Sequence, residues 1–200
     1  MSSSLEVLAL ELKAAGVDVA DPWDLVNTKI RYAQAVPLLM DWLRHIEDRF
    51  PESERASGTE LLVRSLTVPA AKPEAAPLML ELFRTVEDHT GLGLRWVIGN
   101  ALAVVADTSC LPDIEDLVRR REYGRARQML VLGLARFKDP RVVPILTDLL
   151  DDDDVNAHAV IALGKLRPPG VREPVEGLLQ HSSPLVRREA KRTLSRLPDH

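Results

Sequence analysis

The feature that most constrains this chain is that it repeats itself. "KPEAAPLMLELF" (Lys72 to Phe83) and "DPRVVPILTDLL" (Asp139 to Leu150) share prolines four residues apart, Pro73/Pro77 and Pro140/Pro144, each pair followed by leucines at helical spacing. "YAQAVPLLMDWL" (Tyr32 to Leu43) keeps only the second proline, Pro37, and "GVREPVEGLL" (Gly170 to Leu179) keeps Pro174. A proline at the first helical position is tolerated because its missing N–H has no intrahelical partner. One four residues later removes an early hydrogen bond, so these helices are expected to bend in their first turn.

A second helix follows each of the first. Aligned on one leucine, these read "RWVIGNALAVVAD", "RQMLVLGLARFKD", "NAHAVIALGKL" and "RREAKRTLSRL", with Leu102, Leu134, Leu163 and Leu194 in register. The preceding position is small or short: Ala101, Gly133, Ala162, Thr193. "TELLVRSL" fits the same frame with Ser65 and Leu66. Gly133 costs about 1 kcal/mol of helix propensity relative to alanine, so a close helix contact is expected there. The unit is therefore helix, turn, helix. Pairs this small cannot bury their apolar faces alone, and stacking gives them a shared core. Five pairs are predicted, at about 32–68, 72–108, 111–138, 140–167 and 170–197. Residues 1–31 read as an N-terminal helical cap, with Asp21 as N-cap and Pro22 at the first position of "DPWDLVNTK".

The stretch "DPRVVPILTDLLDDDDVNAHAVIALGKL" resembles a HEAT repeat throughout, with Asn156 where that family usually has arginine. The resemblance covers Tyr32 to Leu197. It implies an all-α fold, a right-handed α-solenoid of about five HEAT-like helix pairs with its N-terminal cap. The short C-terminal repeats are also similar to PBS-lyase HEAT-like repeats, a likeness of name that implies no activity.

Composition agrees with such a fold. Aromatic residues are only 4% of the chain while aliphatic ones abound, which suits helices packed through aliphatic ridges. The lone cysteine, Cys110, excludes an internal disulfide framework and reads as a small apolar residue. The N-terminal stretch lacks a basic n-region and no run approaches a membrane span, so a soluble cytoplasmic protein with no membrane partner is expected. No glycine-rich phosphate loop is present, since "GLGLRW" from Gly91 lacks the lysine. The five histidines, His45, His89, His158, His181 and His200, are scattered. Neither catalytic residues nor cofactors nor metal ligands are assigned.

Charge carries the functional expectation. The net charge of −4 weighs against a nucleic-acid carrier, but it is unevenly spread. Residues 1–100 hold 10 Lys+Arg against 15 Asp+Glu, and residues 101–200 hold 16 against 15. Arg95, Arg127 and Arg187 share one repeat position with Asn156. In solenoids that resemble this one, second helices line the concave surface, and this arginine bridges to an aspartate of the adjacent turn. The column is thus either stitching between repeats or a ladder of donors for carboxylate or phosphate. Four aspartates, Asp151 to Asp154, precede His158. They read as a turn in which one carboxylate caps the next helix.

The expected function is a non-catalytic scaffold that binds a protein or peptide partner in its groove through Arg95, Trp96, Arg127, Asn156, Arg187 and Arg188. Two alternatives stay open: DNA phosphate binding through the arginine-rich half, like that of HEAT-like alkylpurine glycosylases, and a lyase-like HEAT protein.

Overall fold

A computed structural model of the chain describes residues 3–87 and 93–198. His89, Gly91 and His200 lie outside the described residues. The prolines set where the first helices begin, one turn later than the sequence pattern implies. Helices α2 (Val36–Arg44), α5 (Ala76–Thr85) and α7 (Leu111–Arg119) each carry proline, Pro37, Pro77 and Pro112, within their first two positions. Pro73 and Pro140 fall in turns ahead of the helices. In α9 (Val142–Asp148) and α11 (Arg172–Gly177), Pro144 and Pro174 are third. The second proline opens the helix, in the turn where no backbone N–H has an acceptor to lose, so no early hydrogen bond is forfeited.

The second helices are α4 (Arg55–Ser65), α6 (Leu94–Val105), α8 (Gln128–Leu134), α10 (Asn156–Leu166) and α12 (Pro184–Leu194). No strand occurs among the described residues. The short α3 (Ile46–Arg49) lengthens the first interhelix connection.

The second helices form the inner layer. α4 packs on α6, α6 on α8, α8 on α10 and α10 on α12, whereas the first helices approach one another less closely and pack mainly on second helices. A stack that is tighter on one side curves towards that side, which puts the second helices on the inner face. Small residues permit this spacing. A Cβ on Gly133 would stand 2.7 Å from the Cβ of Ala103, and one on Gly164 would stand 2.5 Å from Thr193 Oγ1. These contacts share a register. The residue before the anchor leucine of one helix, Gly133 or Thr193, meets the residue after the anchor of the previous helix, Ala103 or Gly164. Where the first is larger, as in Thr193, its partner is glycine.

One core runs the length of the molecule, from Leu8 and Leu12 through Phe83, Leu102, Leu134 and Leu163 to Ala190 and Leu197. The N-terminal α1 (Ser4–Ala14) starts on a capping box between Ser3 and Glu6. It joins the first pair through Glu11, which accepts from Trp42 Nε1 at 2.8 Å and lies 3.5 Å from Arg49. Arg49 stacks 4.9 Å above the Trp42 ring. A 3-10 turn, Pro22–Leu25, has the Asp21 cap and Asp24 reciprocating. Tyr32 then fastens this region to α4, its hydroxyl donating towards Ser65 O at 2.8 Å and Leu25 O at 3.2 Å. No helix among the described residues is long and apolar enough to cross a membrane.

Candidate functional site

The members of the arginine column lie at or near the starts of the second helices, and Arg95 and Arg127 reach both the end of their own pair's first helix and the turn of the next pair. Arg127 shows the full arrangement. Its side chain is 0% exposed, and its guanidinium donates to Val118 O at 2.9 Å and Gly124 O at 3.0 Å. It also grips Asp152 of the following turn with two bonds, of 2.8 and 3.2 Å. A planar fork suits this task because it satisfies helix-end carbonyls and a carboxylate together. Burial drives the Asp152 carboxyl upward, but the bonds and charge of Arg127 prevail and hold it below the usual carboxylate range.

The neighbours fill the same repeat position with other partners. Arg95 donates to Phe83 O at 3.0 Å and to Val86 O, and lies 5.0 Å from the centre of the Tyr123 ring in the next turn. Asn156, buried, donates to Asp153 Oδ1 at 3.2 Å and lies 3.3 Å from His181 Nε2 of the next turn. His181 Nδ1 accepts from the Ser183 N–H at 3.1 Å, so its Nε2 carries the proton and faces Asp153 Oδ1 at 3.1 Å. Arg187 bonds the His181 and Ser182 carbonyls at 2.7 Å each. Three chemistries, cation over ring, arginine on carboxylate, and amide beside imidazole, therefore fill one structural position.

The aspartate run follows from the same requirement. Asp152 turns inward to Arg127, so its carboxylate accepts from the Asp154 N–H in the turn at 3.2 Å. The N-cap of α10 is Val155, with no side-chain cap. The cap expected from one of these aspartates is missing because burying the arginine claims the best-placed carboxylate. Among the described residues no group of three or more His, Cys, Asp or Glu is arranged to hold a metal ion.

What the second helices leave outward is a different set of side chains. On a helical wheel the residues opposite the anchor leucines are those two, six and nine positions before it, and two after. Along α6, α8, α10 and α12 they include Trp96, Leu132, Ile161 and Leu185, the last 43% exposed. Trp96 is half-buried and packs partly on the core. Leu132 and Ile161 are half-exposed outside the buried core. The cations on this face are Arg125, Arg136, Lys165, Arg188, Arg192 and Arg196, all exposed. Arg188 bonds the buried Glu189 at 3.0 Å, and Arg192 lies 3.8 Å from the same carboxylate.

The outer layer is unlike this. There Arg84 pairs with Asp113 at 2.6 Å, Arg119 with Asp148 and Glu115 at 3.1 Å, and Arg120 with Asp116 at 3.1 Å. On the inner face Arg125, Arg136, Lys165 and Arg196 form no ion pair among the described residues. A cleft of about 290 Å³ opens between the starts of α8, α10 and α12, lined by Arg125, Gln128, His158 and Leu185 among others. His158 Nδ1 is buried there without a hydrogen bond. Burial, and secondarily the charge of Arg125, hold its imidazole below the usual histidine range.

Of the residues singled out by sequence, Arg95, Arg127, Asn156 and Arg187 are thus tied into helix ends and turns, while Trp96 and Arg188 lie on the outward face. Leu132, Ile161 and Lys165 were not singled out. The helical wheel of the repeat alignment, extended past the arginine column, would have found them.

An all-α stack of helix pairs with an inner layer of second helices defines an α-solenoid. The C-terminal part of the chain is similar to HEAT repeats: residues 151–200 match HEAT repeats, and residues 126–152 match the PBS lyase HEAT-like repeat. The search of curated proteins gave no match.

Proposed function

We propose that the protein is a non-catalytic scaffold that holds a protein or peptide partner against the outward face of its second helices. The supporting observation is the row Trp96, Leu132, Ile161 and Leu185, one apolar side chain from each of four successive second helices, left at the surface of a rigid stack. Apolar patches framed by polar residues characterise protein-binding surfaces. A preassembled stack loses little conformational entropy on binding, so modest contacts suffice. In this reading the arginine column builds the groove wall and the exposed residues contact the partner, with Trp96 and Arg188 as contacts foreseen from sequence.

A photo-crosslinking residue placed at Ile161, and separately at Glu115 of the outer layer, tests the reading in lysate. Adducts formed from position 161 and absent from position 115 are the expected result. The same adducts from both positions would remove the groove assignment.

A further inference from the structure

We infer that the groove formed by the last three helix pairs takes an acidic amphipathic peptide segment, whose carboxylates meet the unpaired cations while its aliphatic side chains lie on Leu132, Ile161 and Leu185. This rests on the groove-binding reading and specifies its occupant.

The charge pattern carries the inference. In the outer layer Arg84, Arg119 and Arg120 meet carboxylates at 2.6 to 3.1 Å. Arg125, Arg136, Lys165 and Arg196 are given none, although the whole molecule is acidic at −4. An unpaired cluster on one face of an acidic protein raises the local potential and selects an anionic partner. The acids that border the cleft are already engaged. Asp153 accepts from Asn156 and faces His181, and Asp154 lies 3.8 Å from buried Arg127. Arg125 forms no ion pair with either of them, and His158 Nδ1 lies unbonded beside it. A carboxylate entering the cleft would supply an acceptor to Arg125 and reach the imidazole.

The aliphatic side chains decide between anions. Nucleic acid on such a surface would use the cations for phosphate and stack its bases on aromatics, but Leu132, Ile161 and Leu185 interleave with these cations and present no ring. Leucine-like side chains alternating with glutamates complement both properties, as when an amphipathic helix lies in a groove.

The test uses the full chain and three labelled probes: a synthetic helix of Glu, Leu and Ala, its Gln-for-Glu counterpart, and a DNA duplex. Fluorescence anisotropy should show binding of the Glu peptide that weakens as salt rises from about 50 to about 300 mM. The Gln peptide and the double variant R125E/K165E should each lose about tenfold or more in affinity. Both substituted residues are exposed and unpaired, and circular dichroism confirms that the variant keeps its helices. Equal affinity for the two peptides, with loss in Ile161→Asp, overturns the acidic preference yet keeps the groove. Peptide binding indifferent to Ile161→Asp overturns both. No binding of the Glu peptide at ~100 μM, or tighter binding of the duplex, overturns the inference. So does self-association of the free protein that R125E/K165E abolishes, which would make the occupant a second copy.

Discussion

Single residues in this protein are decided by what the next repeat offers them. Arg127 is the extreme case, because a fully buried guanidinium is acceptable only while every donor is used. Arg127→Ala would strand Asp152 in the interior, and a loss of about 3–5 kcal/mol in a denaturant titration is expected. Arg127→Lys should recover only part of it, since a point charge cannot serve a carboxylate and two carbonyls in one plane. His158 gives the molecule a pH dependence of opposite origin. Its folded imidazole resists protonation, so below about 6.5 the unfolded chain takes up the proton first. Stability is expected to fall as pH drops from about 6.5 through the folded value and then level, and His158→Gln should flatten that part of the curve in pH-dependent thermal melts.

At the scale of elements, helix spacing is set by complementary small residues. A Cβ at Gly133 meets both the side chain and the backbone of Ala103, at 2.7 and 3.0 Å, so rotation of a side chain cannot relieve it. Gly133→Ala should destabilise by about 1–3 kcal/mol although alanine is the better helix former by about 1 kcal/mol. Adding Ala103→Gly should return most of the loss. If the double variant is as unstable as the single one in urea titrations, this contact does not set the spacing. The same alignment accounts for α12. The face that internal second helices turn to the next repeat reads Gly99 and Ala103, Val131 and Ala135, Val160 and Gly164; in α12 it reads Lys191 and Ser195. A charged residue there offers no apolar seat.

The whole molecule is quasi-one-dimensional, since each pair touches chiefly its neighbours. Inner helices flanked on both sides must open two interfaces to unfold, and terminal ones a single interface. Hydrogen exchange should therefore be slowest in α6, α8 and α10, and faster in α1 and α12. Uniform protection along the chain would mean that the stack unfolds as one cooperative unit. The long-range charge pattern also belongs to this scale: Arg84, Arg119 and Arg120 are paired in the outer layer, while Arg125, Arg136, Lys165 and Arg196 of the inner one form no ion pair among the described residues.

The repeat period alone determined that the chain is all-α and built from stacked helix pairs, because apolar faces recurring at helical spacing have no other way to be buried. The close approach at Gly133 was also legible, since glycine within a helix is retained only where a Cβ does not fit. Tertiary structure decided the rest. It moved the starts of the first helices to the second proline, a choice that local pattern leaves open by a turn. It turned Asp152 away from capping and towards Arg127, since a buried cation must be neutralised by whichever carboxylate lies closest. It also separated arginines that are identical in sequence. Arg127 and Arg125 stand two positions apart, yet one is sealed inside the stack and the other faces the groove, because they sit in a 3-10 segment of about three residues per turn and only packing shows which side is solvent.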